Sequence, residues 1–146
     1  MEIESVDVPS MRLAGVLHVG PYPRISESFI RLFPIAEALG LSTSNDARYV
    51  AVYYDNPDNT PEDQQRALAA VTVTSAADIG ELREERTEPG RYLRATFIGP
   101  HSALAAGWQQ LRQHIETHHI PLRPDPSFEI YAPPPNEDRT ELYAPT

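Results

Sequence analysis

An internal repeat with a period of 79 residues is the feature that most constrains the fold. Gly20-Pro21 and Gly99-Pro100 stand 79 positions apart, and each pair ends a predicted strand and precedes a predicted amphipathic helix. Three further pairs of apolar residues fall at the same offset: Phe29 and Trp108, Leu32 and Leu111, Tyr49 and Phe128. The sequence therefore predicts a duplicated unit of strand, helix, strand and strand, with the first repeat at about 1–79 and the second at about 80–146.

Hydrophobic periodicity and turn residues divide the two halves in the same way. Strands are predicted where β-branched and aromatic residues cluster between turn signals, and helices where apolar residues recur every three or four positions. A short helical turn is expected from Thr60 to about Leu68. The predicted helices are 26–39 and 102–118, and the predicted strands are 11–20, 49–54, 70–74, 91–99, 127–131 and 141–143, with another near Thr87.

These elements predict a single α+β domain. Its two β-α-β-β repeats are related by a pseudo-twofold axis, and its strands form one antiparallel sheet. Both helices are expected to cover one face of that sheet, and the other face is left to form a ligand groove. A chain of 146 residues is long enough to bury a real core in one domain.

The strand at Ser127–Tyr131 carries the residues that suggest a site. Side chains alternate across a strand, so Phe128 and Ile130 share one face while Glu129 and Tyr131 share the other. The first face is typical of a core. A carboxylate beside a phenol on the second face is either an exposed sheet surface or the floor of a pocket, because burying an unpaired charge is costly.

The repeat gives this strand a predicted orientation. We expect Glu129 and Tyr131 to lie on the sheet face away from Phe29 and Trp108, which belong under the helices. At the offset of 79, Glu129 corresponds to Val50. A groove that is otherwise symmetric would then carry a carboxylate on one side, at Glu129, and an apolar side chain on the other, at Val50.

Composition excludes several classes of function. There is no Cys, so disulfides, thiolate metal sites and cysteine nucleophiles are excluded, and all 12 basic residues are Arg, which excludes a Schiff-base lysine. The net charge of −9 opposes direct binding of nucleic acid and permits cationic ligands. No apolar segment is long enough to span a membrane and no signal pattern is visible, so a cytoplasmic protein is expected. No cofactor is expected, since there is no Gly-rich phosphate loop and no His-Glu-x-x-His motif.

Several motifs resemble one known family. The chain is similar to the GyrI-like small-molecule-binding domains, a superfamily that includes DNA gyrase inhibitor proteins and the effector-binding domains of AraC-type and MerR-type regulators. The resemblance spans nearly the whole chain, and the long motif from residue 50 is similar to the gyrase-inhibitor subgroup. The residues that carry it are Leu13-Ala14-Gly15, Val19-Gly20-Pro21, Val50–Asp58, Thr60-Pro61-Glu62, Val71-Thr72-Val73, Pro89–Tyr92, Phe128–Tyr131 and Glu141-Leu142-Tyr143.

The resemblance implies a SOUL/GyrI-like fold and a groove glutamate, and Glu129 matches the position of that glutamate. Tyr131, Trp108, Tyr22 and Tyr53 are the other candidate ligand-binding residues. For Trp108 the helical stripe favours an ordinary core position, and for Tyr22 ordinary turn packing is an equal alternative. Tyr53 lies on the groove side in only one of two registers.

The implied function is non-enzymatic binding of a small aromatic or cationic molecule. The resemblance also implies an additional or alternative role as a modulator of DNA gyrase through protein contact. A different class remains open: a hydrolase of strained electrophilic small molecules, in which Glu129 activates water and Tyr131 orients the leaving oxygen.

Two features limit these expectations. Family members often carry an acid where this chain has Leu68-Ala69-Ala70, and no helix-turn-helix accompanies the domain, so a complete transcription factor is not expected. His114 and His118 are spaced to share one face of a helix. His119 points elsewhere on that helix and His18 and His101 are distant in sequence, so we interpret the pair as a solvated helix end rather than a metal site.

Overall fold

Eight antiparallel strands form one sheet, and two helices lie against it, in the computed structural model, which describes residues 1–146. The helices are α1 (Ser26–Ala38) and α2 (Leu104–Thr117), each preceded by a short 3-10 turn. The strands are β1 (Glu2–Val8), β2 (Arg12–Val19), β3 (Tyr49–Tyr53), β4 (Arg66–Thr72), β5 (Arg83–Arg86), β6 (Gly90–Ile98), β7 (Ser127–Tyr131) and β8 (Arg139–Pro145).

The strand order shows the duplication directly. The sheet runs β1-β6-β8-β7-β3-β4-β2-β5, so the two halves meet where β7 pairs with β3. Reading outward from that centre, β7, β8 and β6 match β3, β4 and β2. The outermost strands are exchanged, because β1 pairs with β6 of the second half and β5 pairs with β2 of the first. The predicted α+β fold of duplicated repeats is confirmed. Each repeat also has one leading strand: β1, and β5, which corresponds to the strand predicted near Thr87.

The sheet curls strongly upon itself. β1 and β2 stand six places apart in the sheet, which would separate them by about 29 Å if the sheet were flat. Only residues 9–11 join them, and the four steps from Val8 to Arg12 span at most about 14 Å. The curled face therefore encloses a core of its own, made of Leu13, Val50, Val52, Leu68, Ala70, Tyr92, Phe128 and Tyr143.

The helices cover the other face, and the 79-residue offset holds along them. Leu32 of α1 and Leu111 of α2 are both fully buried, and each anchors its helix on a separate core cluster. Ser28 and Gly107, the next matched pair, are also buried. Burying one leucine side chain stabilises the fold by roughly 1.5–3 kcal/mol, so each helix is held mainly by its apolar stripe.

The predicted position of the groove is wrong. Glu129 and Tyr131 lie on the helix-bearing face, because Glu129 contacts Trp108 of α2 and the Tyr131 ring packs on Phe29 of α1. A groove built on Glu129 would therefore lie between the two helices, while the opposite face carries the curled-sheet core. The cause is a one-residue slip: Glu129 is equivalent to Ala51, 78 positions earlier, and a slip of one residue turns a strand over.

Two strand assignments also differ from the sequence-based prediction. β1 was not predicted, since its apolar residues are sparse and it lies at the sheet edge. The expected helical turn up to Leu68 is confined to a 3-10 turn at Glu62–Gln64, and β4 already begins at Arg66. Five consecutive residues from Ala67 to Val71 are buried, so this segment is a strand covered on both faces rather than an amphipathic helix.

Candidate ligand-binding site

The two central strands would form the floor of the candidate groove. β3 and β7 pair so that Ala51 stands opposite Glu129 and Tyr53 opposite Ser127. Phe29 of α1 forms one wall and Trp108 of α2 the other. The strands alternate, so the floor on this face consists of Tyr49, Ala51, Tyr53, Ser127, Glu129 and Tyr131.

Glu129 lies at the centre of this floor and is only 2% exposed. The indole Nε1 of Trp108 donates a hydrogen bond to its Oε1 at 2.5 Å. The hydroxyl of Tyr131 donates to its Oε2 at 2.6 Å. Both carboxylate oxygens therefore have a donor, but no cationic side chain bonds to them.

Burial controls the electrostatics of the site. Loss of hydration raises the pKa of Glu129, while the Tyr131 hydroxyl, the Trp108 indole, the Tyr53 hydroxyl and the nearby His101 oppose that rise. The pKa values of Tyr53 and Tyr131 are both raised well above the usual range, first by burial and then by the charge of Glu129. The two phenols therefore act as hydrogen-bond donors.

Aromatic rings surround Glu129 with approximate twofold symmetry. The Tyr22 ring lies 4.7 Å from the ring of Tyr53, and the His101 ring lies 5.1 Å from that of Tyr131, both measured between centroids. Across the groove, Trp108 contacts Tyr53 edge-on at 6.2 Å, and Phe29 likewise contacts Tyr131 at 5.7 Å. Each half thus supplies one outer ring, one floor tyrosine and one wall ring.

The five predicted site residues are brought together, with different roles. Tyr131 and Trp108 bond directly to Glu129, and Trp108 is half-buried rather than a plain core residue. Tyr53 lies on the groove side of its strand. Tyr22 reaches the site only with its ring, since its hydroxyl is within hydrogen-bond distance of the carbonyl oxygens of Asp55 and Arg66, at 2.8 Å and 2.9 Å.

Sequence reasoning missed two residues of the site. His101 lies 79 positions after Tyr22 and occupies the equivalent place, so the repeat itself carried the signal. Phe29 is 8% exposed and was assigned to the core alone, but its ring also borders Tyr131. No group of three His, Asp or Glu side chains is arranged to hold a metal ion.

The arrangement can neutralise and enclose a cation. A carboxylate provides the opposite charge, and the faces of surrounding aromatic rings attract cations through their quadrupoles. Because Glu129 is almost completely covered, a ligand reaches it only when a covering side chain, such as Tyr131 or Trp108, moves aside.

A duplicated sheet with two helices beside a buried groove acid defines a small-molecule-binding domain. The chain belongs to the GyrI-like family: it matches the GyrI-like small molecule binding domain over residues 1–146. No helix in the protein combines the length and apolar character needed to cross a membrane.

The chain is also similar to named proteins and to a solved structure, and these similarities support the family assignment. A protein named DNA gyrase inhibitor from Citrobacter koseri is 25% identical over 154 aligned positions, covering 99% of this chain and 97% of that protein. Another of that name from Escherichia coli K12 is 28% identical over 125 positions, covering 82% and 78%. The structure of SAV2435 bound to tetraphenylphosphonium has a TM-score of 0.75 at 18% identity, covering 99% of this chain and 93% of that one.

Proposed function

We propose that this protein binds a lipophilic aromatic cation in the groove between α1 and α2, with Glu129 as its counter-ion. The observation that carries the proposal is a buried carboxylate that has hydrogen-bond donors and aromatic neighbours but no cationic side chain bonded to it. The ligand seen in SAV2435, tetraphenylphosphonium, is a cation of this class and supports the choice.

The energetics favour a charged ligand over a neutral one. Burial raises the pKa of Glu129, which means that its ionised form is disfavoured in the unliganded protein. A bound cation supplies the missing opposite charge to a carboxylate that is only 2% exposed. Each close aromatic face adds roughly 0.5–2 kcal/mol of attraction for the cation.

Calorimetric titration with two ions of the same shape tests the proposal. Tetraphenylphosphonium and tetraphenylborate carry opposite charges, so the protein should bind the first and not the second. Glu129→Gln keeps the side-chain size and removes the charge. Loss of the charge-assisted contact, worth roughly 1–3 kcal/mol, should weaken phosphonium binding by about 5- to 150-fold. Equal affinity in the variant would remove Glu129 from the site, and equal binding of both ions would contradict charge recognition.

A second proposed role is modulation of DNA gyrase through protein contact. Its support is the name shared by relatives that are 25–28% identical over most of this chain. The net charge of −9 favours contact with a protein surface over contact with DNA. In a supercoiling assay with purified gyrase, the protein should lower activity at a fixed DNA concentration, and unchanged supercoiling at high protein excess would exclude the role.

Hydrolysis of a strained electrophile is the alternative within the same groove. The hydrogen bond between Tyr131 and Glu129 places an acid and a potential base 2.6 Å apart. The raised pKa of Glu129 makes it a better base than an exposed carboxylate. Repeated turnover of a cyclopropane-containing alkylating compound would support catalysis, whereas protection that stops at one equivalent would indicate binding alone.

A further inference from the structure

The hydroxyl of Thr140 is a buried polar group that takes no part in the hydrogen bonds around Glu129. Thr140 is completely buried on β8, and its Oγ1 has no hydrogen-bond partner in the protein. A hydroxyl buried without a partner destabilises a fold. A threonine in this position therefore needs a reason other than packing.

The other half of the molecule shows that packing does not require the hydroxyl. β4 and β8 are both seven residues long, and Ala67 is equivalent to Thr140. Ala67 pairs with Tyr53 as Thr140 pairs with Tyr131. Ala67 is also fully buried, so the same place in the same architecture is filled by a methyl group.

Thr140 lies beside the groove carboxylate. Tyr131 stands directly opposite Thr140, and Glu129 stands opposite Leu142, two residues further along β8. Glu129 and Thr140 are therefore diagonal neighbours on the helix-bearing face, with their Cα atoms about 7–8 Å apart. Tyr131 bonds to Glu129 and stands opposite Thr140, so this one side chain adjoins both groups, and Phe97 of β6 flanks Thr140 on its other side.

We propose that Thr140 is a specificity-determining residue of the groove and that it hydrogen-bonds a polar substituent of the ligand. The natural ligand is then an aromatic cation. It carries a hydroxyl, carbonyl or amino group next to its charged centre, on the side of the molecule that faces β8. This inference rests on the proposed cation site at Glu129 and extends it from a charge requirement to a requirement for a second polar group.

A pair of matched ligands and a pair of variants test it. Tetraphenylphosphonium has no hydrogen-bonding group, and (4-hydroxyphenyl)triphenylphosphonium differs from it by one hydroxyl. The wild-type protein should bind the hydroxylated ion about 3- to 10-fold more tightly, the range for one neutral hydrogen bond. Thr140→Val, which preserves shape, should abolish this preference and leave affinity for tetraphenylphosphonium unchanged, whereas Thr140→Ser should retain the preference.

The possible outcomes separate the two proposals. If both ions bind and the hydroxyl gives no preference in the wild type, or if Thr140→Val keeps the preference, the role of Thr140 is overturned and the cation site stands. If neither ion binds, both proposals fall. Thermal unfolding of the unliganded protein is a further check: Thr140→Val should be at least as stable as the wild type, and lower stability would indicate a structural hydrogen bond that overturns the inference.

Discussion

Trp108→Phe removes one hydrogen bond to a buried charge while keeping an aromatic ring in the groove wall. The indole Nε1 lies 2.5 Å from Oε1 of Glu129, which is 2% exposed. A hydrogen bond to a charged group contributes roughly 1.5–3 kcal/mol, a large part of a typical domain stability of roughly 5–15 kcal/mol. For a domain of this size we expect the unfolding midpoint to fall by about 5–10 °C.

The dependence on the charge of Glu129 distinguishes this effect from lost packing. The indole stabilises the ionised carboxylate, so the cost of Trp108→Phe should be greatest above the folded pKa of Glu129 and should decline as pH falls through that pKa. The measurement is urea unfolding followed by far-ultraviolet circular dichroism, because the substitution removes the only tryptophan fluorophore.

A double-mutant cycle provides the control. Introduced into Glu129→Gln, Trp108→Phe should cost roughly 1 kcal/mol less than in the wild type, because a charged acceptor strengthens the bond. An equal cost in both backgrounds, at every pH, would refute the reasoning and leave Trp108 as a packing residue only.

Two further predictions concern stability. Phe29→Ala should lower the free energy of unfolding by about 3–5 kcal/mol, because it empties a site that is 8% exposed between α1 and the sheet; a loss below 1 kcal/mol in urea unfolding would contradict this packing. Because burial raises the pKa of Glu129, its contribution to stability is present below the unfolded pKa of about 4.3 and is lost as pH rises through the folded pKa. The stability of the wild type minus that of Glu129→Gln, measured over a pH series, should therefore fall with rising pH, and a flat difference would contradict the shift.

Much of the fold was predictable because the repeat and the hydrophobic pattern agree. Both helices and the strand at Ser127–Tyr131 were located within about two residues of their observed ends. The exchange of β1 and β5 between the halves was not predictable, since strand pairing at a sheet edge depends on tertiary contacts rather than on local pattern.

The composition of the site was more predictable than its place. Glu129 and its aromatic partners were identified from a short motif, but the face on which they lie depended on the length of the connection after each helix. The second repeat is one residue shorter there, since Glu129 matches Ala51 at 78 positions and not Val50 at 79. Nothing in the local pattern of β7 reveals this slip, because both of its faces are buried in part.

Charge explains why the two halves differ at the centre of the groove. Ala51 and Glu129 face each other across the central strand pair, where opposed side chains approach to about 4.5–5.5 Å. A second glutamate at Ala51 would place two buried carboxylates at that distance, and repulsion would keep one of them protonated. One carboxylate opposite an alanine leaves a single charge at this position. The duplicated fold thus places a single buried carboxylate on its axis by giving up its symmetry there, and this is the feature on which the proposed cation site depends.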